Sequence, residues 1–234
     1  IMQPGRDVVQ PAIRSRLDQI MQESGTLLQI EPVDAASADG KPATDTQSQV
    51  SLVISGGIEP IEYARVQVLI MLDELNNLYI DTIDMDSKTL HVNAGRKRST
   101  IQSIERESGA NIYIPSPFFG VLQSAVPPKV QERRHTVYVT GPPKAVSRAR
   151  EMLQAFSKKS RNQVKRQVTL MPRKLDWLLL ERLEALREVM LDNSTFLELP
   201  LIGSQRGQVT VHGTSRVDVE RSIRILMQLV SPCY

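Results

Sequence analysis

Apolar residues follow two rhythms along this chain, and the same succession of rhythms is written three times. In SRLDQIMQESGTLLQI (15–30), STIQSIERESGANIYI (99–114) and EALREVMLDNSTFLEL (184–199), apolar positions first recur three apart and then alternate. The first rhythm puts one helical face toward a core, and the second is that of a half-buried strand. Ile101 aligns with Leu17 and Leu186, and Ile104 with Ile20 and Val189. Gly25 and Gly109 stand where a helix end takes a left-handed residue, and Asn193 can serve that purpose in the third copy. A glycine-closed strand follows in each, QVSLVISG (49–56), HTVYVTG (135–141) and QVTVHG (208–213). An amphipathic helix then ends each unit, at 61–75, 144–156 and 216–230. The design is strand, helix, turn, helix, strand, loop, strand, helix: an α+β unit with helices on one face of a three-stranded antiparallel sheet. The units are expected at 1–78, 79–160 and 161–234, the first with its opening strand cut short at Ile1.

This β-α-α-β-β-α order, with a short turn between the first two helices and I-x-x-I-x-x-x-S-G-A-x-I after it, resembles the type I KH domain. The middle unit, from IDMDSKTLHVNAGRKR through AREMLQAF, resembles it most, and the third matches in spacing more than in residue identity. The resemblance implies a single-stranded RNA binder in which a GXXG loop clamps the backbone beside an apolar groove for about four bases. In the middle unit that loop is Gly95-Arg96-Lys97-Arg98, with Ser99 after it and Ile101, Ile104, Ile112 and Ile114 as groove lining. The same isoleucines would form the core of any such unit, so a groove role is expected of one or two, Ile112 first. The second loop glycine is replaced by Arg98, where a left-handed backbone costs about 1–2 kcal/mol more than at glycine. Three cations in a row oppose the dipole of the helix they precede and have no evident intramolecular partner, as expected if an external anion completes the site. The alternative is a solvated basic turn.

The other units depart further. Pro11-Ala12-Ile13-Arg14 occupies the loop position of the first, leaving Arg14 and Arg16 as secondary cations. The third has Leu180-Glu181-Arg182-Leu183 within KLDWLLLERLEALREVM, which contains no helix breaker, so a single continuous helix without a loop is expected there. Residues 32–49 read as a disordered variable loop. In the second unit Phe118, Phe119, Val121 and Leu122 are too apolar for water and must pack on something, a neighbouring unit first. The junction SKKSRNQVKRQ (157–167) adds Lys158, Lys159 and Arg161 as further basic candidates.

Charge sharpens this picture. Residues 1–78 carry net −6, 79–160 net +6 and 161–234 net +3, so a polyanion is drawn to the middle. Aromatics make up only 4% of the chain, which limits base stacking. The lone cysteine, Cys233, permits neither an internal disulfide nor a zinc cage and points to a reducing compartment, the cytoplasm with the nucleus as alternative. No apolar run approaches membrane-spanning length, and the abrupt N-terminus suggests part of a longer chain. His91, His135 and His212 fall at unrelated repeat positions, with no catalytic triad, metal or nucleotide motif; no enzyme, cofactor or small-molecule substrate is expected. Two readings follow: an RNA-binding module working mainly through the middle unit, or a protein-interaction scaffold of degenerate KH folds contacting partners through the first and third.

Overall fold

The computed structural model describes residues 10–32, 50–122, 135–159 and 163–231. The expected first strand of the first unit lies outside them, as does the expected variable loop at 32–49 apart from Pro32, which is the last residue of the first strand described. Helix α1 (Pro11–Ser24) begins on a proline, whose fixed φ suits a first turn, and stops at Gly25 in the left-handed region. Strands β1 (Leu27–Pro32) and β2 (Val50–Ser55) pair antiparallel with Leu28 opposite Ile54. Helix α2 (Ile58–Leu75) follows, and Leu17, Ile20, Leu28, Ala64, Val68 and Met71 form a small core between helices and ribbon.

The described elements of the middle unit follow the expected order. Strand β3 (Tyr79–Asp84) leads to α3 (Ser87–Asn93), whose N-terminus is capped by the Asp86 carboxylate accepting from Thr89 N–H at 3.0 Å. A tight turn and α4 (Ser99–Ser108) follow, the helix ending at Gly109 with φ 77°. Strands β4 (Asn111–Tyr113) and β5 (Thr136–Gly141) complete a sheet of order β3-β5-β4, and α5 (Pro143–Lys159) closes the unit. Ile83, Ile112, Val137 and Val139 point from the sheet to Ile101, Ile104, Ala149 and Leu153 of the helices.

The third unit repeats the order: β6 (Val164–Thr169), α6 (Pro172–Glu181), α7 (Leu183–Asn193), β7 (Thr195–Glu198), β8 (Gln208–Gly213) and α8 (Arg216–Val230), with sheet order β6-β8-β7. The expected continuous helix is broken. Arg182, at φ −133° and ψ 28°, separates α6 from α7, and its guanidinium sits over the Trp177 ring at 5.7 Å. The reason is burial: Leu175, Leu178, Leu179, Leu183 and Leu186 all reach one core, and a straight rod cannot wrap a small sheet closely enough to do this. The left-handed residue after α7 is Ser194 (φ 53°), not Asn193, which remains helical with its amide donating to Val189 C=O at 2.8 Å.

The units are stacked against one another. Tyr113, Tyr138 and Thr140 alternate with core residues and so share the sheet face turned away from α4 and α5. Helix α2 of the first unit covers this face. There the Asp73 carboxylate accepts from Tyr113 OH at 2.8 Å, Asn111 Nδ2 at 3.2 Å and Thr140 Oγ1. The corresponding face of the third sheet receives α3, where His91 meets Phe196 at 5.7 Å between ring centres and Lys88 pairs with Glu198 at 3.2 Å. Phe118 and Val92 of the middle unit belong to the third unit's hydrophobic core, and Val121 C=O accepts from Ile202 N–H at 2.9 Å. The apolar segment after β4 therefore packs on a neighbouring unit, as its composition required.

Candidate nucleic-acid interface

The basic turn between α3 and α4 is shaped by backbone constraints. Gly95 has φ 80°, and a Cβ there would lie 2.5 Å from Thr100 Oγ1 and 2.9 Å from the Thr100 backbone nitrogen. Both features demand glycine. Lys97 (φ 51°) and Arg98 (φ 62°) are left-handed too, so the turn holds the strained backbone of a glycine loop with side chains in place. Ser99 then opens α4 on the exposed side.

The turn's cations do have intramolecular partners, contrary to the sequence-based expectation, and the partners come from the third unit. Arg96 donates to Asp218 in the first turn of α8, and Lys97 lies 3.9 Å from Asp192 at the end of α7. Burial works against the Asp218 carboxylate, but the Ser215 hydroxyl and the Arg96 guanidinium outweigh it and hold its pKa below the ordinary value. The partners stand 122 and 95 positions away in the chain, too far for local reading. Arg96 and Lys97 still expose 55% and 81% of their side chains, which keeps these ion pairs weak and open to exchange for another anion. Arg98 turns inward instead. Its Nε is enclosed without a hydrogen-bond partner, and burial, then repulsion from Arg187, lowers its pKa.

Arg98 points into a cleft where all three units meet. Arg65 and Tyr63 of α2, Tyr113 of β4, Tyr138 of β5, Phe119 and Arg187 of α7 line it. Arg187 is held by Glu62 and by Glu184 at 3.3 Å, and lies over the Phe118 ring at 5.7 Å. Glu59, at the start of α2, accepts the Leu122 N–H at 3.3 Å; burial raises its carboxyl pKa despite the backbone donors of Gly120 to Leu122.

Three stretches match family models in chain order: residues 2–73 the KHD4 first KH domain, 77–163 the KHD4 second KH domain, and 165–234 the Mug60/KHD4 KH type I domain. The chain belongs to the KH domain family. It consists of three tandem KH units. It is 37% identical over 237 residues to K homology domain-containing protein 4 of Mycosarcoma maydis, covering 99% of this chain but 17% of that protein's length. Among solved structures, Dim2p of Pyrococcus horikoshii OT3 matches at 14% identity and TM-score 0.26, over 65% of this chain and 90% of that one. The complex of a/eIF2alpha, aDim2p and rRNA from the same organism matches at 14% and 0.25, over 67% and 88%. These structural likenesses are slight and carry nothing further.

The KH frame locates the remaining candidates. Ile112 is 7% exposed and, with Ile101, Ile104 and Ile114, packs in the middle KH core, leaving little of it to meet a base. Arg14 is exposed on α1, while Arg16 is tied to Gln19 Oε1 at 2.8 Å and lies 3.8 Å from Glu74. Neither joins the middle turn. Lys158 and Lys159 fall in the last turn of α5, and Arg161 lies outside the described residues. Arg65 and Arg187 escaped sequence reading: each is an ordinary cation on an amphipathic helix until the units stack. Among the described residues, no group of three His, Cys, Asp or Glu is placed to hold a metal ion, and no helix is long and apolar enough to cross a membrane.

Proposed function

We propose that this chain is a single-stranded RNA-binding module in which the middle KH unit holds the backbone at Gly95-Arg96-Lys97-Arg98 while the outer units brace it. The observation that carries this reading is the turn itself. It keeps a glycine with no room for a side chain at the start of a helix, and it presents two largely exposed cations on the unit with the greatest positive charge. A phosphate arriving there would exchange with Asp218 and Asp192, relieving the opposition between the cations and the α4 dipole.

A second reading, a protein-interaction scaffold of KH folds, draws on a different observation: the turn and the Phe118 segment are already engaged by the third unit. Fluorescence polarisation with a labelled mixed-sequence single-stranded RNA at two salt concentrations separates the two. Arg96→Ala with Lys97→Ala removes the exposed cations and leaves the packed Arg98 in place. Under the RNA reading the double variant loses affinity and its log–log salt slope becomes shallower by about 1.4, two single-strand contacts at about 0.7 each. Equal binding by both proteins moves the contact off the turn, and no binding by either favours the scaffold.

A further inference from the structure

The three-unit cleft carries more than structural cations. One arginine comes from each unit, Arg65 from α2, Arg98 from the turn and Arg187 from α7. Only Arg187 has carboxylate partners, Glu62 and Glu184; among the described residues neither Arg65 nor Arg98 has one within ion-pair distance. Of the acids that line the cleft, Glu62 is paired with Arg187 within it and Glu59 accepts the Leu122 backbone N–H. Arg98, its Nε enclosed without a partner beside the Arg187 guanidinium, is costly to hold there unless an anion joins it.

Aromatic rings stand beside these arginines in the lining. Tyr113 and Tyr138 are cross-strand partners on the sheet face turned away from α4 and α5, and Phe119 joins them in the lining. The Tyr113 hydroxyl is occupied by Asp73, so its ring is fixed in place. The cleft is narrow inside and opens to solvent at its mouth. Guanidiniums beside flat rings suit a phosphate and a base together. Of the isoleucines expected to line the usual groove, Ile114 reaches this cleft, while Ile101, Ile104 and Ile112 are not among its lining.

We propose that one nucleotide of a bound single-stranded RNA seats at the mouth of this cleft, with its phosphate at Arg65 and Arg98 and its base against Tyr138 and Phe119. Each KH unit then contributes to one site, and the stacking of the units becomes part of recognition. This rests on the RNA-binding reading.

Arg65 is the discriminating residue because it is exposed and makes no ion pair among the described residues, so Arg65→Glu should fold normally. The control is Arg173→Glu, the same change of charge at an exposed position of α6 outside the cleft. Folding of both is checked by circular dichroism, and RNA affinity is measured by fluorescence polarisation. Photo-crosslinking of 4-thiouridine RNA with peptide mapping follows on the wild-type protein. The expected result is a loss of about tenfold for Arg65→Glu, little change for Arg173→Glu, and a crosslink on Tyr138 or Phe119. Equal losses in the two variants, or crosslinks confined to α3 and α4, overturn the cleft assignment and leave the RNA-binding reading standing. Competition by micromolar uridine monophosphate would make this a free-nucleotide site and likewise overturn it. A wild-type protein that binds no RNA overturns both.

Discussion

Acid should loosen the seam between the middle and third units through one buried imidazole. His91 sits on α3 with its Nδ1 2.8 Å from Ser87 C=O, its ring against Phe196, and its Nε2 enclosed without a partner. Burial lowers its pKa from 6.5 to about 4, outweighing the Ser87 carbonyl, while Arg98 and Arg187 add repulsion and Asp86 opposes it. Beyond Phe196 lies His212, paired with Glu198 at 2.9 Å. Between pH 6.5 and about 4 the unfolded chain takes up a proton that folded His91 refuses, so its contribution is intact above pH 6.5 and declines as pH falls toward 4. The full shift corresponds to about 3 kcal/mol, and about 2 kcal/mol of it is gone by pH 5. The assay is urea unfolding of the wild type and His91→Gln at pH 7 and pH 5, with an NMR titration of the histidine ring protons. Glutamine can keep the Ser87 hydrogen bond and cannot be protonated. The wild type should lose about 2 kcal/mol more than the variant across that interval, and a resonance titrating near pH 4 should vanish in the variant. Equal pH sensitivity, or a His91 resonance titrating above pH 6, would refute the reasoning.

Two other contacts between units can be probed in the same way. Asp73→Ala leaves the donors of Asn111, Tyr113 and Thr140 facing one another without their shared acceptor. It should cost about 3 kcal/mol in urea unfolding, and a cycle with Tyr113→Phe should show coupling above about 0.5 kcal/mol. The same carboxylate, after burial, helps raise the Tyr113 pKa to about 12, so ultraviolet titration should find one tyrosine ionising late and lose it in Tyr113→Phe. Because the unfolded tyrosine ionises at pH 10, stability should drop from there toward pH 12. Phe118→Ala empties a fully buried site in the third unit's core and should cost about 4 kcal/mol, read as earlier melting and faster proteolysis after β4. A loss under 1 kcal/mol would mean the segment is only loosely seated.

The three-fold repeat and the buried helix faces at Leu17 and Ile20, Ile101 and Ile104, and Leu186 and Val189 were legible in sequence, because helical and strand periodicities are local and the same pattern recurs at offsets of 84 and 85. Gly95, Gly25 and Gly109 were legible for the same reason: a left-handed backbone prefers glycine wherever it occurs. The break at Arg182 was not, because no breaker residue marks it and the need to bury two leucine rows against one small sheet imposes it. Nor could sequence show the stacking of units. Asp73, Asn111 and Thr140 look like ordinary solvent-facing polar residues, and only α2 lying on the sheet makes them a hydrogen-bonded joint. The pairing of Arg96 with Asp218, and the gathering of Arg65, Arg98 and Arg187 in one cleft, depend on contacts between residues far apart in the chain. Local periodicity determines what each unit is. Long-range burial of polar and charged groups decides how the units combine, and with it where an anion can approach.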